Sequence, residues 1–134
     1  MSMTSAGPVG PGRGLGAERR SGGSGGSAPR VSTVTDETFA AAVLENPRPV
    51  LVEFWAVWCP PCRQLAPVLD ALAADLAGQV DVVKVNIDEN PQTVQRYAIM
   101  LAPTLNLYRG GEVVHQVVGA RSRSALLRDF GLEA

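Results

Sequence analysis

Between Val50 and Val57 the chain reads Val-Leu-Val-Glu-Phe-Trp-Ala-Val, nearly unbroken in apolar, β-branched and aromatic side chains. Neighbouring side chains of a strand point to opposite faces, so a run without polar alternation reads as a strand covered on both sides. Val80–Ile87 repeats the pattern, and Val31–Val34 is a shorter strand candidate. Helical patterns lie between these runs. Thr35 is placed to cap a helix with Asp36 and Glu37 in its first turn and with Phe39, Val43 and Leu44 at helical spacing. Asn46-Pro47-Arg48-Pro49 stops it. A long helix is predicted from about Cys59 to Ala77, with Leu65, Leu69, Leu72 and Leu76 on one stripe, Pro67 inside it and Gly78 as the stop. Asn90-Pro91 reads as a cap followed by proline at the first position of a short helix ending near Tyr97. Thr104–Tyr108 and Val113–Val118 flank Gly110-Gly111 as a hairpin, and Ser122 opens a last helix through Leu126, Leu127 and Phe130. Strands alternating with helices require parallel pairs joined by crossovers, and the hairpin adds an antiparallel edge. The expected fold is α/β, with a mixed central sheet.

Composition narrows what such a domain can do. The formal net charge of −1 gives no global electrostatic case for nucleic acid or an anionic membrane. The longest apolar stretch, Phe54 to Pro61, falls far short of the roughly 20 residues that span a bilayer. Two cysteines and one histidine cannot by themselves complete a four-ligand zinc site, and two cysteines cannot make a disulfide-dense scaffold. No metal and no bound cofactor are expected. The first 30 residues form a separate segment: they hold 9 of the 14 glycines, with four arginines against one glutamate. Such a stretch cannot bury enough apolar surface to offset its ordering entropy and reads as a disordered tail. It lacks the apolar stretch of a secretory signal, so the expectation is a flexible tail, or an over-extended start with Met3 or a later residue as the true beginning. The domain proper is expected over residues 31–134.

The chemistry sits where the buried strand meets the long helix, at Trp55-Ala56-Val57-Trp58-Cys59-Pro60-Pro61-Cys62-Arg63. Cys-x-x-Cys spacing brings two sulfurs within disulfide reach. The unpaired N–H groups and partial positive charge of the helix start stabilise a thiolate on Cys59. Cys62, one turn further in, is expected to be more buried and protonated. An attacking thiolate beside a resolving thiol is the equipment of thiol–disulfide exchange; two structural cysteines or half a metal site are the competing readings. Glu53, the only charge from Val50 to Val57, should be protonated over part of the accessible pH range, because burying a lone carboxylate is costly. It could instead reach the sheet edge or pair with Lys84, the only lysine of the chain.

Residues 31–134 resemble the thioredoxin family. The resemblance rests on Phe54-Trp55-Ala56-x-Trp58-Cys59-x-Pro61-Cys62, Ala66-Pro67, Lys84-Val85-Asn86-Ile87-Asp88, Ala102-Pro103-Thr104, Gly111-Glu112 and Val118-Gly119-Ala120, in the family's order and spacing. It implies a thioredoxin fold, a sheet with helices on both faces, and reduction of protein disulfides. Cys59 would attack, Cys62 would resolve, and a Cys59–Cys62 disulfide would remain. Glu53 stands where the family has a buried aspartate serving the resolving cysteine. Pro103 matches the family's cis-proline, beside which a substrate chain pairs with the backbone of Ala102. Trp58, Pro60, Met100, Leu101, Ala102, Gly119 and Ala120 would rim an apolar docking groove, with Trp55, Pro61 and Lys84 in support. The implied partners are an NADPH-dependent thioredoxin reductase and disulfide-containing clients, in the cytoplasm, for a monomer that binds neither nucleic acid nor membrane. Three departures stand out: Pro60 replaces the usual glycine, Met100 and Leu101 replace a polar residue and glycine, and Asn106 puts an amide inside a strand. Trp-Cys-Pro-Pro-Cys-Arg is also similar to extracytoplasmic reductases of the cytochrome c maturation type. An interaction module or chaperone with incidental cysteines is a further alternative. His115, in a hairpin strand away from the motif, is expected on the surface.

Overall fold

The apolar run at Val50 becomes the central strand of a five-stranded mixed sheet. A computed structural model describes residues 30–133; the expected tail, apart from Arg30, lies outside them. The strands are β1 (Ser32–Thr33), β2 (Val50–Trp55), β3 (Asp81–Asn86), β4 (Thr104–Arg109) and β5 (Glu112–Val118), in the spatial order β1-β3-β2-β4-β5. β3 is parallel to both β1 and β2, while β4 is antiparallel to β2 and to β5. The alternation of strand and helix thus produced the parallel half, and the glycine turn produced the antiparallel β4–β5 edge. Gly110 and Gly111 have φ of +58° and +83°, the left-handed geometry that a tight hairpin requires and that glycine adopts without steric cost.

Helices cover both faces. α1 (Pro60–Asp75) and α3 (Arg123–Phe130) lie on one side, where Leu65, Leu69, Leu72, Leu126 and Phe130 pack on Leu51, Leu105 and Leu107. On the other side Phe39, Val43 and Ile99 pack against Val50, Val52, Phe54 and Tyr108, beside α2 (Pro91–Arg96). β2 is buried from Val50 to Phe54 because its alternate side chains serve two different cores. Glu53 falls in the α1-facing set, with Leu51 and Trp55.

Local details differ from the sequence-based expectations in several places, among them β1 and β3, each shorter by one residue at both ends than its expected run. Ala40–Leu44 is a π-helix, closed by the Glu45 N–H donating to the Ala40 carbonyl, in place of the expected α-helix. Asn90 does not cap α2 with its side chain. Its amide group instead bridges two segments, accepting from the Asp36 N–H and donating to the Asn86 carbonyl. The capping is done by Asp36, 57 residues away from Thr93, whose carboxylate accepts from Gln92 N–H, Thr93 N–H and Thr93 Oγ1–H. β2 ends at Trp55 and α1 at Asp75, each short of its expected limit. Asn106, buried in β4, donates to the Tyr108 hydroxyl and accepts from Gln116, so its amide is satisfied. His115 is exposed on β5, edge-on to Phe130.

Candidate active site

β2 delivers the chain to the C-terminal edge of the sheet, where it turns into α1. Cys59 occupies the N-cap of α1 in extended geometry, and Pro60 and Pro61 fill the first helical positions. Proline suits these positions because its fixed φ is already helical and the missing N–H would have been unpaired. It also strips the first turn of donors. The Cys62 N–H is the first that remains, and it lies 3.2 Å from Cys59 Sγ. The two cysteines are joined as a disulfide, with their Cα atoms 5.3 Å apart.

Cys62 is not the more buried of the pair: Cys59 is 2% exposed and Cys62 4%. Depth along the helix is only one source of cover. Cys59 is also roofed by the loop before β4, whose Ala102 carbonyl oxygen lies 3.3 Å from its Sγ. Ala56, Trp55, Ile87 and Ala102 complete the packing around both sulfurs.

That loop is held in place by its own hydrogen bonds. The Ala102–Pro103 peptide is cis. Thr104 Oγ1–H donates to the Leu101 carbonyl at 2.6 Å, and Gly119 N–H donates to the Pro103 carbonyl at 2.8 Å. Gly119 has φ of +98°, a conformation that favours glycine and that turns the chain leaving β5 toward Pro103. On the rim, Trp58 is 64% exposed, Met100 85% and Leu101 62%, while Ala102 and Gly119 are half-buried and Pro103 is covered. Pro60 and Ala120 are exposed where α1 starts and just past Gly119. Met100, Leu101 and Val118 share a recess of about 170 Å³. Val57 and Val118, at 67% and 50% exposure, belong to the same apolar rim and were missed in the sequence, where their apolar character read as strand interior. Asp88 was also missed as a site residue. Its carboxylate accepts the Trp58 indole N–H at 2.8 Å and so fixes the ring, and its own N–H donates to the Asn86 side chain. Only the quoted Lys84–Asp88 segment could have pointed to it.

Beneath the disulfide, Glu53, Trp55, Cys62, Asp70 and Lys84 line one cleft of about 120 Å³. Glu53 is 4% exposed. Desolvation pushes its carboxyl from an ordinary 4.5 up to about 7, and the charge of Lys84 opposes the rise. Lys84 stands directly across from Glu53 in the β2–β3 register, but the two do not meet at ion-pair distance; Lys84 Nζ lies 5.2 Å over the Trp55 ring instead. Glu53 Oε2 and Trp55 Nε1 are buried without hydrogen-bond partners. A polar cleft of this size has room for water. Among the described residues no cluster of three or more His, Cys, Asp or Glu could hold a metal ion, and no helix is long and apolar enough to cross a membrane.

Comparison with known proteins agrees with this geometry. The Thioredoxin family model matches residues 30–130. A thioredoxin of Streptomyces clavuligerus is 55% identical over 98 residues, covering 73% of this chain and 91% of the relative. Thioredoxin 1 of a Nostoc species is 52% identical over 93 residues, 69% of this chain and 87% of its own length. A bifunctional thioredoxin reductase/thioredoxin of Mycobacterium leprae is 45% identical over 97 residues, 72% of this chain and 21% of that longer protein.

Proposed function

The chain belongs to the thioredoxin family and is a thiol–disulfide oxidoreductase, and on that footing we propose that it works as a cytoplasmic, monomeric protein-disulfide reductant recycled by an NADPH-dependent thioredoxin reductase. The observation that carries this reading is the Cys59–Cys62 pair at the start of α1, with the Cys62 N–H on the Cys59 sulfur and an exposed apolar rim around it. In the dithiol form, the Cys59 thiolate attacks one sulfur of a client disulfide. A mixed disulfide forms and the client's other sulfur leaves as a thiolate. Cys62 gives up its proton and attacks the Cys59 sulfur, which releases the second client thiolate. The client gains two electrons and the Cys59–Cys62 disulfide remains.

Glu53 accepts the Cys62 proton in this reading, through water in the cleft that both residues line. Its burial supports the role, because a carboxyl brought to about 7 exchanges protons near neutral pH. Clients dock across Trp58, Pro60, Met100, Leu101, Ala102, Pro103, Gly119 and Ala120, adding an extended segment beside the Ala102 backbone. The apolar exposure of Trp58, Met100 and Leu101 supports that surface. The Mycobacterium leprae relative, whose name joins a reductase to a thioredoxin, supports the choice of recycling partner. Residues 31–134 form the redox domain, with the tail outside it.

A redox titration of the pair, followed by Trp55 and Trp58 fluorescence, tests the direction of the chemistry. A potential near about −270 mV, the value characteristic of thioredoxins, fits a reductant, whereas one near about −120 mV belongs to a strong oxidant. The latter would overturn the reading and assign the change to the double proline.

A further inference from the structure

Met100 is 85% exposed, the most open of the exposed large apolar side chains, and the only methionine among the described residues. It stands two positions before Ala102, whose carbonyl oxygen is 3.3 Å from Cys59 Sγ. The loop that carries it is tied down by Thr104 on Leu101 and by Gly119 on Pro103, so the thioether is displayed outward from a held backbone. A thioether needs no ionisation to react with a hydroperoxide; access to the sulfur governs its susceptibility. Both cysteine sulfurs, by contrast, are bonded to each other and almost fully covered. Once the dithiol has been oxidised, the most accessible sulfur of the domain is that of Met100.

We propose that Met100 is an oxidative modification site, at which hydroperoxides form methionine sulfoxide and thereby weaken the docking of protein clients while leaving the disulfide chemistry intact. The inference rests on the reading that the Trp58–Leu101 rim is the docking surface. In the step itself the thioether sulfur attacks one peroxide oxygen. The O–O bond breaks, an S–O bond forms, and the proton on the transferred oxygen moves to the departing oxygen. Sulfur loses two electrons and hydrogen peroxide leaves as water. An apolar, flexible side chain becomes a polar one in the middle of an apolar rim, and enzymes of the methionine sulfoxide reductase class reverse the change.

The full-length chain in its disulfide form is treated with hydrogen peroxide, the peroxide is destroyed with catalase, and the Met100 peptide is weighed. Turnover is then measured on insulin, a protein disulfide, and on dithiobis(nitrobenzoate), a small disulfide with no docking face. Met100 is expected to gain one oxygen at a rate within about threefold of a free methionine derivative. Insulin kcat/KM should fall by about threefold or more while the small disulfide changes by less than about twofold. Met100→Leu, whatever its starting rate, should give the same insulin rate before and after peroxide. An unmodified Met100, an unchanged insulin rate after full modification, or an equal loss in Met100→Leu would each overturn the proposal. Met100→Gln, a polar side chain that peroxide does not oxidise, separates the two readings. If it slows insulin turnover but peroxide does not, only the modification fails; if it leaves insulin turnover unchanged, the docking surface itself is wrong.

Discussion

Glu53 sits with its carboxyl in a cleft between β2 and α1, and its cost is electrostatic. Folding raises the carboxyl from 4.5 to about 7, first through desolvation, with Lys84 pulling the other way. A raised value means that folding favours the protonated form. The benefit is therefore full below about pH 4.5 and is lost as the pH rises through about 7, an interval worth roughly 3 kcal/mol. Glu53→Gln imitates the protonated carboxyl. It should match the parent in stability near about pH 4 and gain toward roughly 3 kcal/mol above about pH 7, read from urea midpoints at several pH values. A gain that stays constant across that range would mean that the carboxyl titrates normally. In kinetics, Glu53→Ala should slow resolution of the mixed disulfide by about tenfold near neutral pH and change the first attack by less than about twofold, as followed by rapid mixing with a fluorescent client. Unchanged resolution would remove Glu53 from the mechanism. The presence of a buried acid was legible in the sequence, because a single charge interrupts an apolar strand. Its company was not: Lys84 turns its ammonium over Trp55, and no local pattern encodes that choice.

Helix ends give the clearest lesson among the elements. α3 closes at Gly131, with φ of +65°, and is tied by Gly131 N–H to Arg128 and Leu132 N–H to Leu127. α2 closes with the same pair of bonds, Ala98 N–H to Gln95 and Ile99 N–H to Val94, but there the left-handed residue is Ala98, at φ +53°. An L side chain in that conformation costs about 1–2 kcal/mol, of which glycine would return about 0.5–1 through its freer unfolded chain. Ala98→Gly should therefore raise stability by about 0.5 kcal/mol, seen as a higher urea midpoint at an unchanged slope. A lower midpoint would show that the methyl packs well enough to outweigh the strain. The start of α2 carries the complementary message. Asn90-Pro91 correctly marked the boundary, yet the caps come from Asp36. Desolvation alone would raise that carboxyl, but the hydrogen bonds from Thr93 and Gln92 hold it below its usual range.

For the molecule as a whole, two apolar cores lie on either side of one sheet, and both are built from residues within 31–132. Arg30 contributes to neither. A chain beginning at Arg30 should fold with the urea midpoint of the full chain and reduce insulin within about twofold of its rate, because a Gly-rich stretch with few large apolar side chains has little surface to offer a core. A clear loss in either measurement would assign the tail a structural role. The apolar rim is also a property of this scale. Val57, Trp58, Met100, Leu101 and Val118 come from three separate segments and remain exposed together, although each looks in isolation like a residue for the interior.

The alternation of apolar runs and helical stripes was sufficient for the α/β class with a mixed sheet and for Cys59 at the mouth of α1, since both follow from periodicity and from the chemistry of a helix start; the placement of helices on both faces came from the family resemblance. Residues that act through neighbours in the chain were legible for the same reason: Ser122 caps α3, and Pro60 and Pro61 leave the Cys62 N–H for the Cys59 sulfur. What only the tertiary structure decided are relations between segments distant in the chain. Ala102 roofs Cys59, Asp88 holds Trp58, Asp36 caps α2, and Glu53 shares its cleft with Cys62. Each depends on where the sheet brings two strand ends or loops together, and a hydrogen bond or a desolvated charge is set by that distance and not by spacing along the chain.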